Sequence, residues 1–367
     1  MKLVFLSNYF NHHQRYLSDA LATRCDYTFL ATTPYNEKRL ALGWTPEEEP
    51  AYVCHYEADP QKAVRLLEEA DVVLTGSAPE KLVQHCIQKN KLVLRYSERP
   101  LKKGLELKKF LPRFVKWHCQ NPPWRKVYML CASGYTASDY RKFGLFRGKT
   151  FRWGYFPKMK AYESGETLLS GKKPGTILWA GRFLDWKHPD DALAVAESLK
   201  KRGISFRMKI IGSGEMEDIL GQRVQTLSDC VELTGAVPPE QVRECMEEAE
   251  IFLFTSDRKE GWGVVLNEAM NSGCAVVANR DIGSAPFLIK DGENGLLYPS
   301  GDVETLCNQV ETLLSDPALT KKLGSRAYET ILESWNPEVA AERLLCLAQS
   351  LQEGKRPPYT QGPCSPT

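Results

Sequence analysis

Two glutamates, Glu260 and Glu268, stand eight positions apart in the stretch EGWGVVLNEAMNSGCAVV. Carboxylates accept hydrogen bonds from hydroxyl groups, and glycines leave backbone amides open to a phosphate. We predict that Glu268 holds the two hydroxyls of a ribose and that Glu260 holds a group beyond the phosphates. The positions between them that we assign to the same ligand are Gly261, Trp262, Gly263 and Val264. The alternative is two ordinary helix carboxylates, one of which offsets the helix dipole.

Two cations, Arg182 and Lys187, occur in the stretch LWAGRFLDWKHP. Arg presents a planar fork of N–H donors and Lys a mobile point charge, and both suit a diphosphate. Because the carboxyl ends of parallel strands share one edge of a sheet, we expect these cations to face the same edge as the two glutamates. The alternative is a solvated pair of charges without a ligand.

A second polar set lies near the start of the chain and after a later apolar run. Its members are Asn8, Asn11, His12 and His13 in SNYFNHHQRYL, and Glu98 and Arg99 in YSERP. The ordinary pKa of histidine lies near neutral pH, so His12 or His13 could bind a phosphate or accept a proton. The alternative is that one of the histidines caps a helix that begins near Gln14.

Short apolar runs alternate with helical patterns along the chain. The runs include KLVFLS, YTFLA, DVVLTG and KLVLRY in the first half, and TILWAG, FRMKIIGSG, CVELTGAV and EIFLFTS in the second. This alternation predicts parallel sheets with helices on both faces. Because 367 residues exceed what one hydrophobic core usually organises, we predict an α/β protein of two doubly wound, Rossmann-like domains.

The predicted boundaries follow from where this alternation lapses. Residues 1–157 form the first domain, the polar stretch 158–175 is a linker, and residues 176–335 form the second domain. A closing helix and a Pro-rich tail occupy residues 336–367, and we expect this segment to return to the first domain.

Taken together, Arg182, Lys187, IIGSGE, LTGAV and EGWGVVLNEAMNSGCAVVA resemble the retaining glycosyltransferases of family 4, which have the GT-B fold. The resemblance is strong over roughly residues 176–300. It implies two Rossmann-like domains facing across a cleft, with the acceptor bound by the first and a nucleotide sugar by the second. Glu260 and Glu268 match the family's pattern of two glutamates separated by seven residues.

The resemblance also implies roles for individual residues. Arg182 and Lys187 neutralise the donor pyrophosphate, Glu268 holds the ribose, and Glu260 orients the sugar. Val237 of LTGAV frames the base, and Gly212 of IIGSGE belongs to the donor-binding set. The residues that we assign to the acceptor side from their position alone, without a family role, are Asn8, Asn11, His12, His13, Glu98 and Arg99.

No Asp-x-Asp occurs in the chain, so the carboxylate pair that holds a divalent metal in the other major glycosyltransferase fold is missing. We therefore expect no metal and no other cofactor. The resemblance implies retention by same-face attack, and transfer from a UDP-sugar or GDP-sugar to a glycan or lipid-linked acceptor in surface polysaccharide or glycolipid biosynthesis. The alternatives are a nucleotide-sugar 2-epimerase and a non-catalytic nucleotide-sugar-binding protein.

Composition favours a cytoplasmic protein, because eleven cysteines include no Cys-x-x-Cys pair and the apolar run after Lys2 is too short for a leader or a membrane span. Charge is unevenly distributed. The whole chain carries +2, whereas residues 89–160 hold nineteen Lys and Arg against three acids, a net charge of +16. No nucleic-acid-binding motif accompanies this excess, so we expect no nucleic acid partner.

The stretch LKKGLELKKFLPRFVKW lies in this basic segment. Helical spacing places one set of residues, Lys102, Lys109, Arg113 and Lys116, opposite another, Leu107, Phe110, Leu111 and Phe114. This is the pattern of a helix that lies on an anionic membrane, with Pro112 kinking it or starting a second helix, and it adds a peripheral position on the inner face of the plasma membrane as a hypothesis. The alternative is a surface helix whose apolar face packs on the sheet of the first domain.

Overall fold

The computed structural model describes residues 1–34 and 49–367, and the chain divides into two compact units. The first unit comprises Met1–Lys158 and Asn336–Thr367, and the second comprises Met159–Trp335. Within the described residues, no helix is both long and apolar enough to cross a bilayer.

The first unit is built on a seven-stranded parallel sheet in the order β3-β2-β1-β4-β5-β6-β7. Its strands are β1 (Lys2–Ser7), β2 (Asp26–Ala31), β3 (Val53–His55), β4 (Val72–Thr75), β5 (Leu92–Ser97), β6 (Val127–Cys131) and β7 (Thr150–Arg152). Its described helices are α1 (His12–Ala22), α2 (Pro60–Glu69), α3 (Glu80–Gln88), α4 (Leu107–Gln120), α5 (Thr136–Arg141) and α14 (Pro337–Gln352). The central strands are apolar along nearly their whole length because helices cover both faces of a parallel sheet.

The second unit contains a six-stranded parallel sheet in the order β10-β9-β8-β11-β12-β13. Its strands are β8 (Lys173–Ala180), β9 (Arg207–Ile211), β10 (Val231–Leu233), β11 (Ala249–Phe254), β12 (Ala275–Asn279) and β13 (Leu296–Tyr298). Its helices are α6 (Gly165–Ser170), α7 (Pro189–Lys201), α8 (Glu217–Val224), α9 (Pro239–Glu248), α10 (Val264–Asn271), α11 (Ala285–Leu288), α12 (Val303–Ser315) and α13 (Pro317–Glu333).

Each sheet has one topological switch point, at which the order of successive strands across the sheet reverses. In the first unit this point lies between β1 and β4, and in the second it lies between β8 and β11. Ligands of doubly wound sheets bind outside the carboxyl ends of the strands at such a point. Arg182 and Lys187 follow β8, Glu260 lies in the loop after β11 and Glu268 in the helix after that loop, so the fold brings the predicted residues to one edge of the sheet.

The segment 158–175 differs from the predicted linker. Lys160 donates its backbone N–H to the Asn271 side-chain oxygen at 2.8 Å, α6 packs against α13, and β8 already begins at Lys173. Polar residues suggested a solvated connection, but here they make hydrogen bonds inside the second unit.

The end of the chain covers the outer strand of the first sheet. Phe151 of β7 and Pro366 form an antiparallel bridge. Arg152 donates its backbone N–H to the Ser365 carbonyl at 2.8 Å, and the Cys364 N–H returns a bond of 2.8 Å to the Arg152 carbonyl. Cys364 and Ser365 are fully buried, so this part of the tail belongs to the core of the first unit.

Candidate nucleotide-sugar site

The centre of the candidate site is an ion pair across the switch point of the second sheet. Lys187 Nζ lies 2.6 Å from Glu260 Oε2, and the two side chains are only 14% and 12% exposed. Ser256 donates its hydroxyl to the same carboxylate oxygen at 3.1 Å. Lys187 is the last residue of a short 3₁₀ turn, Asp185–Lys187, which stands directly before α7.

The backbone around this pair is held by a buried hydrogen-bond chain. Trp179 of β8 donates its indole N–H to the Thr255 hydroxyl at 2.8 Å, and that hydroxyl donates to the Lys187 carbonyl at 2.7 Å. The Asp257 N–H bonds the Trp186 carbonyl at 2.9 Å. The loops after β8 and β11 are thus tied together, which fixes the separation of Lys187 from Glu260.

Two predicted residues remain open for a ligand. Arg182 is exposed, and within the described chain its guanidinium has neither a hydrogen bond nor an ion pair. Glu268 lies in the second turn of α10, half-buried, and its carboxylate likewise lacks a polar partner among the described residues. Burial raises the pKa of Glu268, and the charge of Arg243 partly opposes this.

Glycines shape the approach to this edge. Gly263 caps α10 with φ of +85°, and a Cβ at this position would lie 2.3 Å from the Phe254 ring, so only glycine fits. Gly212, in the loop after β9, has φ of +147°, and its Cβ would lie 1.8 Å from the Gly181 carbonyl oxygen. The helix begins at Val264, as predicted.

Trp262 does not face a ligand. Its side chain is 1% exposed, lies 5.8 Å from Trp335 between ring centroids, and donates its indole N–H to Asn267 at 2.8 Å. Burial against Trp335 and Phe287 makes the side chain part of the core, which leaves only the backbone of Trp262 for the predicted donor contact. Gly261 is also buried, and Val237 lies half-buried in the loop after β10, two strands from β8.

The candidate acceptor residues in the first unit have mixed surroundings. Asn11 rather than a histidine caps α1, accepting the His13 N–H at 2.9 Å while Gln14 caps the Asn11 N–H, so the helix begins earlier than predicted. Asn8, after β1, accepts the Tyr9 N–H at 2.9 Å. His12 is exposed, and its role at the acceptor stays a prediction.

His13 does not fit the prediction of a base that titrates near neutral pH. Burial, with a smaller contribution from the neighbouring charge of His12, lowers the pKa of His13 to about 3. Its ring lies 5.7 Å from that of Tyr155 between centroids, edge to face. His13 is therefore neutral at physiological pH, and a hydrogen bond is the strongest polar contact it can offer.

Glu98 and Arg99 are adjacent in sequence but differ in their contacts. Glu98 accepts the Tyr155 hydroxyl at 3.1 Å and pairs with Lys102, and it remains half-exposed. Arg99 is 10% exposed and pairs with the fully buried Asp139 at 3.4 Å. Arg99 is thus committed to a buried ion pair, which argues against the predicted contact with an acceptor.

Several supporting residues were not found from the sequence. Ser256 and Thr255 follow β11 directly, and polar residues at that position are a usable signal. Tyr155 and Arg243 show no such signal in the sequence, because their partners are distant in the chain. Arg243 donates to the Glu268 backbone carbonyl at 3.4 Å, and this bond ties α9 to α10. Within α9, Arg243 also pairs with Glu247 at 3.5 Å.

One group among the described residues could hold a metal ion. His188, Asp190 and Asp191 offer ligand atoms that all lie within 4.8 Å of one another, directly after Lys187. Asp190 and Asp191 also stand in the first turn of α7, where carboxylates favour the helix dipole without any metal. The expectation of a metal-free site stays a prediction.

A comparison with protein families finds a match within the second unit. Residues 163–330 match the family Glycosyl transferases group 1. This glycosyl transferases group 1 region contains Arg182, Lys187, Glu260 and Glu268, and it begins and ends inside the second unit.

Curated relatives match about half of the chain or less. The amylovoran biosynthesis glycosyltransferase AmsK of Erwinia amylovora is 36% identical over 186 residues, which are 49% of this chain and 46% of AmsK. The lipopolysaccharide core biosynthesis glycosyltransferase LpsE of Rhizobium meliloti is 28% identical over 141 residues, 38% of this chain and 41% of LpsE. The chain spans about half the length or less of the curated relatives it matches first.

Solved structures match nearly the whole chain. Anabaena HepE, determined in complex with UDP, gives a TM-score of 0.68 at 16% identity and covers 96% of this chain and 100% of HepE. Sucrose-phosphate synthase from Thermosynechococcus elongatus gives 0.67 at 18% identity, with 96% and 99% coverage. At this identity the likeness shows the fold, and the predicted GT-B fold class is confirmed.

Proposed function

We propose that the protein is a retaining, metal-independent glycosyltransferase that moves a sugar from a nucleoside diphosphate to a glycan or lipid-linked acceptor. The observation that carries the proposal is the Lys187–Glu260 pair, with Arg182 and Glu268 free of polar partners among the described residues of the same sheet edge. AmsK and LpsE are named for polysaccharide biosynthesis, which supports a role in surface polysaccharide or glycolipid assembly.

The roles of the charged residues follow from their surroundings. Arg182 is exposed to an incoming phosphate, and Lys187 is pre-positioned by the hydrogen-bond chain through Thr255. Both cations would stabilise the negative charge that grows on the departing diphosphate in the transition state. A pre-positioned lysine acts without reorganisation when the diphosphate departs.

The two glutamates would hold the two sugars on either side of the diphosphate. Glu268, with no polar partner within the described residues, would accept hydrogen bonds from the ribose hydroxyls. Glu260 would be released from Lys187 when the diphosphate binds, and it would then accept hydrogen bonds from the transferred sugar.

Transfer breaks the bond between the anomeric carbon and the phosphate oxygen and forms one to an acceptor oxygen. The transition state carries positive charge at the anomeric carbon. We assign the acceptor proton to the departing phosphate oxygen, with attack on the face that the diphosphate leaves, and this assignment gives retention. Acceptor contacts are proposed for Asn8, His12 and Glu98 in the first unit.

A donor panel tests the proposal. Thermal shifts with UDP-glucose, UDP-N-acetylglucosamine and GDP-mannose identify the donor, because a ligand that binds only the native state raises the melting temperature. Proton NMR of the reaction with that donor then gives the product and its anomeric configuration. Slow release of nucleoside diphosphate with retained configuration, unaffected by EDTA, is the expected result.

Other outcomes contradict the proposal in distinguishable ways. A 2-epimer as the product indicates an epimerase, and a bound but unchanged donor indicates a binding protein. Loss of activity in EDTA that Mg²⁺ restores would show that a metal is required, with His188, Asp190 and Asp191 as the first ligands to test.

A further inference from the structure

Helix α4 (Leu107–Gln120) divides its apolar residues between two faces. Phe110 and Trp117 turn inward, and the Phe110 ring stacks 4.8 Å from that of Phe143 between centroids. Leu107 and Leu111 turn outward and are 84% and 67% exposed. The helix is continuous through Pro112, so no second helix begins there.

The outward residues form a stripe. Leu107, Leu111 and Val115 follow one another at intervals of four, and all three are exposed. Residues at this spacing lie on one side of a helix, so the stripe is about 12 Å long. Packing on the first sheet, the alternative considered for this helix, accounts for Phe110 and Trp117 but leaves this stripe without a partner in the described structure.

Lysines without partners surround the stripe. Lys103, Lys108 and Lys116 are exposed, and no ion pair or hydrogen bond joins any of them to the described residues. By contrast, Lys102 pairs with Glu98 and Lys109 with Glu106 at 2.7 Å. An unpaired lysine keeps its full charge available to an external anionic surface.

We propose that the α4 outer face, composed of Leu107, Leu111 and Val115 with Lys103, Lys108 and Lys116, docks on an anionic lipid bilayer surface. Apolar side chains enter the boundary between headgroups and acyl chains, and the lysines stay among the anionic headgroups. The surface charge is complementary, because the segment 89–160 carries +16.

The residue types favour a bilayer over a protein partner. Protein interfaces are depleted in lysine and enriched in arginine, whereas helices that lie on membranes combine lysine with leucine and aromatic residues. The exposed cations at this stripe are lysines. Trp124, just after α4, is 79% exposed, and an indole with one apolar and one polar side suits the headgroup region.

Vesicle co-sedimentation of the full chain tests the proposal. We expect binding to phosphatidylcholine vesicles that contain phosphatidylglycerol, little binding to phosphatidylcholine alone, and release as salt rises. The triple variant Lys103→Gln/Lys108→Gln/Lys116→Gln should bind about a hundredfold more weakly. Leu107→Ser/Leu111→Ser should lower binding about tenfold or more while leaving the melting temperature unchanged, because both side chains are already exposed.

Matched controls separate a specific face from general charge. Lys201, Lys321 and Lys322 are exposed lysines of the second unit, and their triple change to Gln removes the same charge. Ile219→Ser removes an exposed apolar side chain elsewhere. Both control variants should bind like the wild type.

Three results would overturn the proposal. The first is equal binding to neutral and anionic vesicles, and the second is no binding to anionic vesicles at low salt. The third is an equal loss of vesicle binding in the α4 variants and the control variants. Self-association that the Leu107→Ser/Leu111→Ser variant abolishes, without any lipid binding, would assign the face to a second copy of the chain. Lipid binding is measured without donor or acceptor, so the result is independent of the proposed transferase activity.

Discussion

Lys187 Nζ lies 2.6 Å from Glu260 Oε2, and this ion pair joins the loops after β8 and β11 where the strand order of the second sheet reverses. Each of the two side chains occupies the place from which a ligand would contact the other side chain. Under the proposed function, a diphosphate that takes Lys187 would release the Glu260 carboxylate for the transferred sugar. Donor binding would then exchange one partner of each residue for another.

The first prediction concerns the two cations. Lys187→Ala and Arg182→Ala should each lower kcat/KM for the identified donor by about a hundredfold, the scale of one lost electrostatic contact in the transition state. Lys259→Ala, which removes an exposed lysine that pairs loosely with Asp257, is the control and should be near wild type. Wild-type kinetics in both test variants would refute the assignment.

Stability should separate the same two variants. Lys187→Ala leaves the poorly exposed Glu260 without its cation and should cost about 2 kcal/mol of unfolding free energy. Arg182→Ala should cost almost nothing, because Arg182 is exposed and has no ion pair in the described chain. Urea unfolding measures both values.

The second prediction separates the glutamates. Glu268→Gln should weaken binding of the free nucleoside diphosphate about tenfold or more, because the ribose contact does not need the sugar. Glu260→Gln should preserve that affinity and lower turnover. Calorimetry with UDP or GDP measures the affinities, and Glu293→Gln, at an exposed position, is the control. Equal loss of nucleotide affinity in the two test variants would contradict this division.

The third prediction uses two glycines of the second unit. Gly212→Ala should destabilise the protein by about 3 kcal/mol or more, because its Cβ would lie 1.8 Å from the Gly181 carbonyl oxygen at a φ of +147°. Gly221→Ala, inside α8 with nothing within 4 Å of the new Cβ, should stabilise by up to about 1 kcal/mol. We expect the denaturant midpoint to fall for Gly212→Ala and to rise for Gly221→Ala. An unchanged midpoint for Gly212→Ala would show that the loop after β9 has another shape.

The fourth prediction is a pH dependence of stability. Burial lowers the folded-state pKa of His13 to about 3, whereas an unfolded histidine titrates near about 6.5. As pH falls below about 6.5 the unfolded state gains a proton that the folded state does not take up, so stability is lost progressively down to about pH 3. His13→Gln should remove about 1–2 kcal/mol of this loss between about pH 7 and pH 5.

The adjacent histidine supplies the control for this measurement. His12→Gln changes an exposed side chain and should keep the wild-type slope of melting temperature against pH. If His13→Gln shows the same slope as wild type, the imidazole of His13 protonates in the folded protein near its ordinary pKa.

The sheets of both units could be predicted because buried parallel strands consist of nearly continuous runs of apolar residues. KLVFLS and EIFLFTS have this character, and they form β1 and β11. The meeting of Lys187 with Glu260 followed from the same reasoning, since two loops at one sheet edge must be neighbours.

Contacts between distant residues could not be predicted. Trp262 was assigned to a ligand, but Trp335 and Phe287 bury it, and nothing local signals their approach. Arg99 was assigned to the acceptor, but it pairs with the buried Asp139. Likewise, helical spacing alone placed Phe110 and Leu111 on the same face, whereas packing against Phe143 gives them opposite environments.

The tail that follows α14 has a consequence for association between molecules. An outer strand such as β7 presents N–H and C=O groups that can template the growth of a sheet from one chain into the next. Here Cys364–Thr367 already occupies such groups on β7, through the bonds between Arg152 and its two partners and through a bond of 3.3 Å from the Thr367 N–H to the Thr150 carbonyl. These groups of β7 are therefore unavailable to a strand of another molecule, and edge-to-edge growth of the sheet would first have to displace the tail.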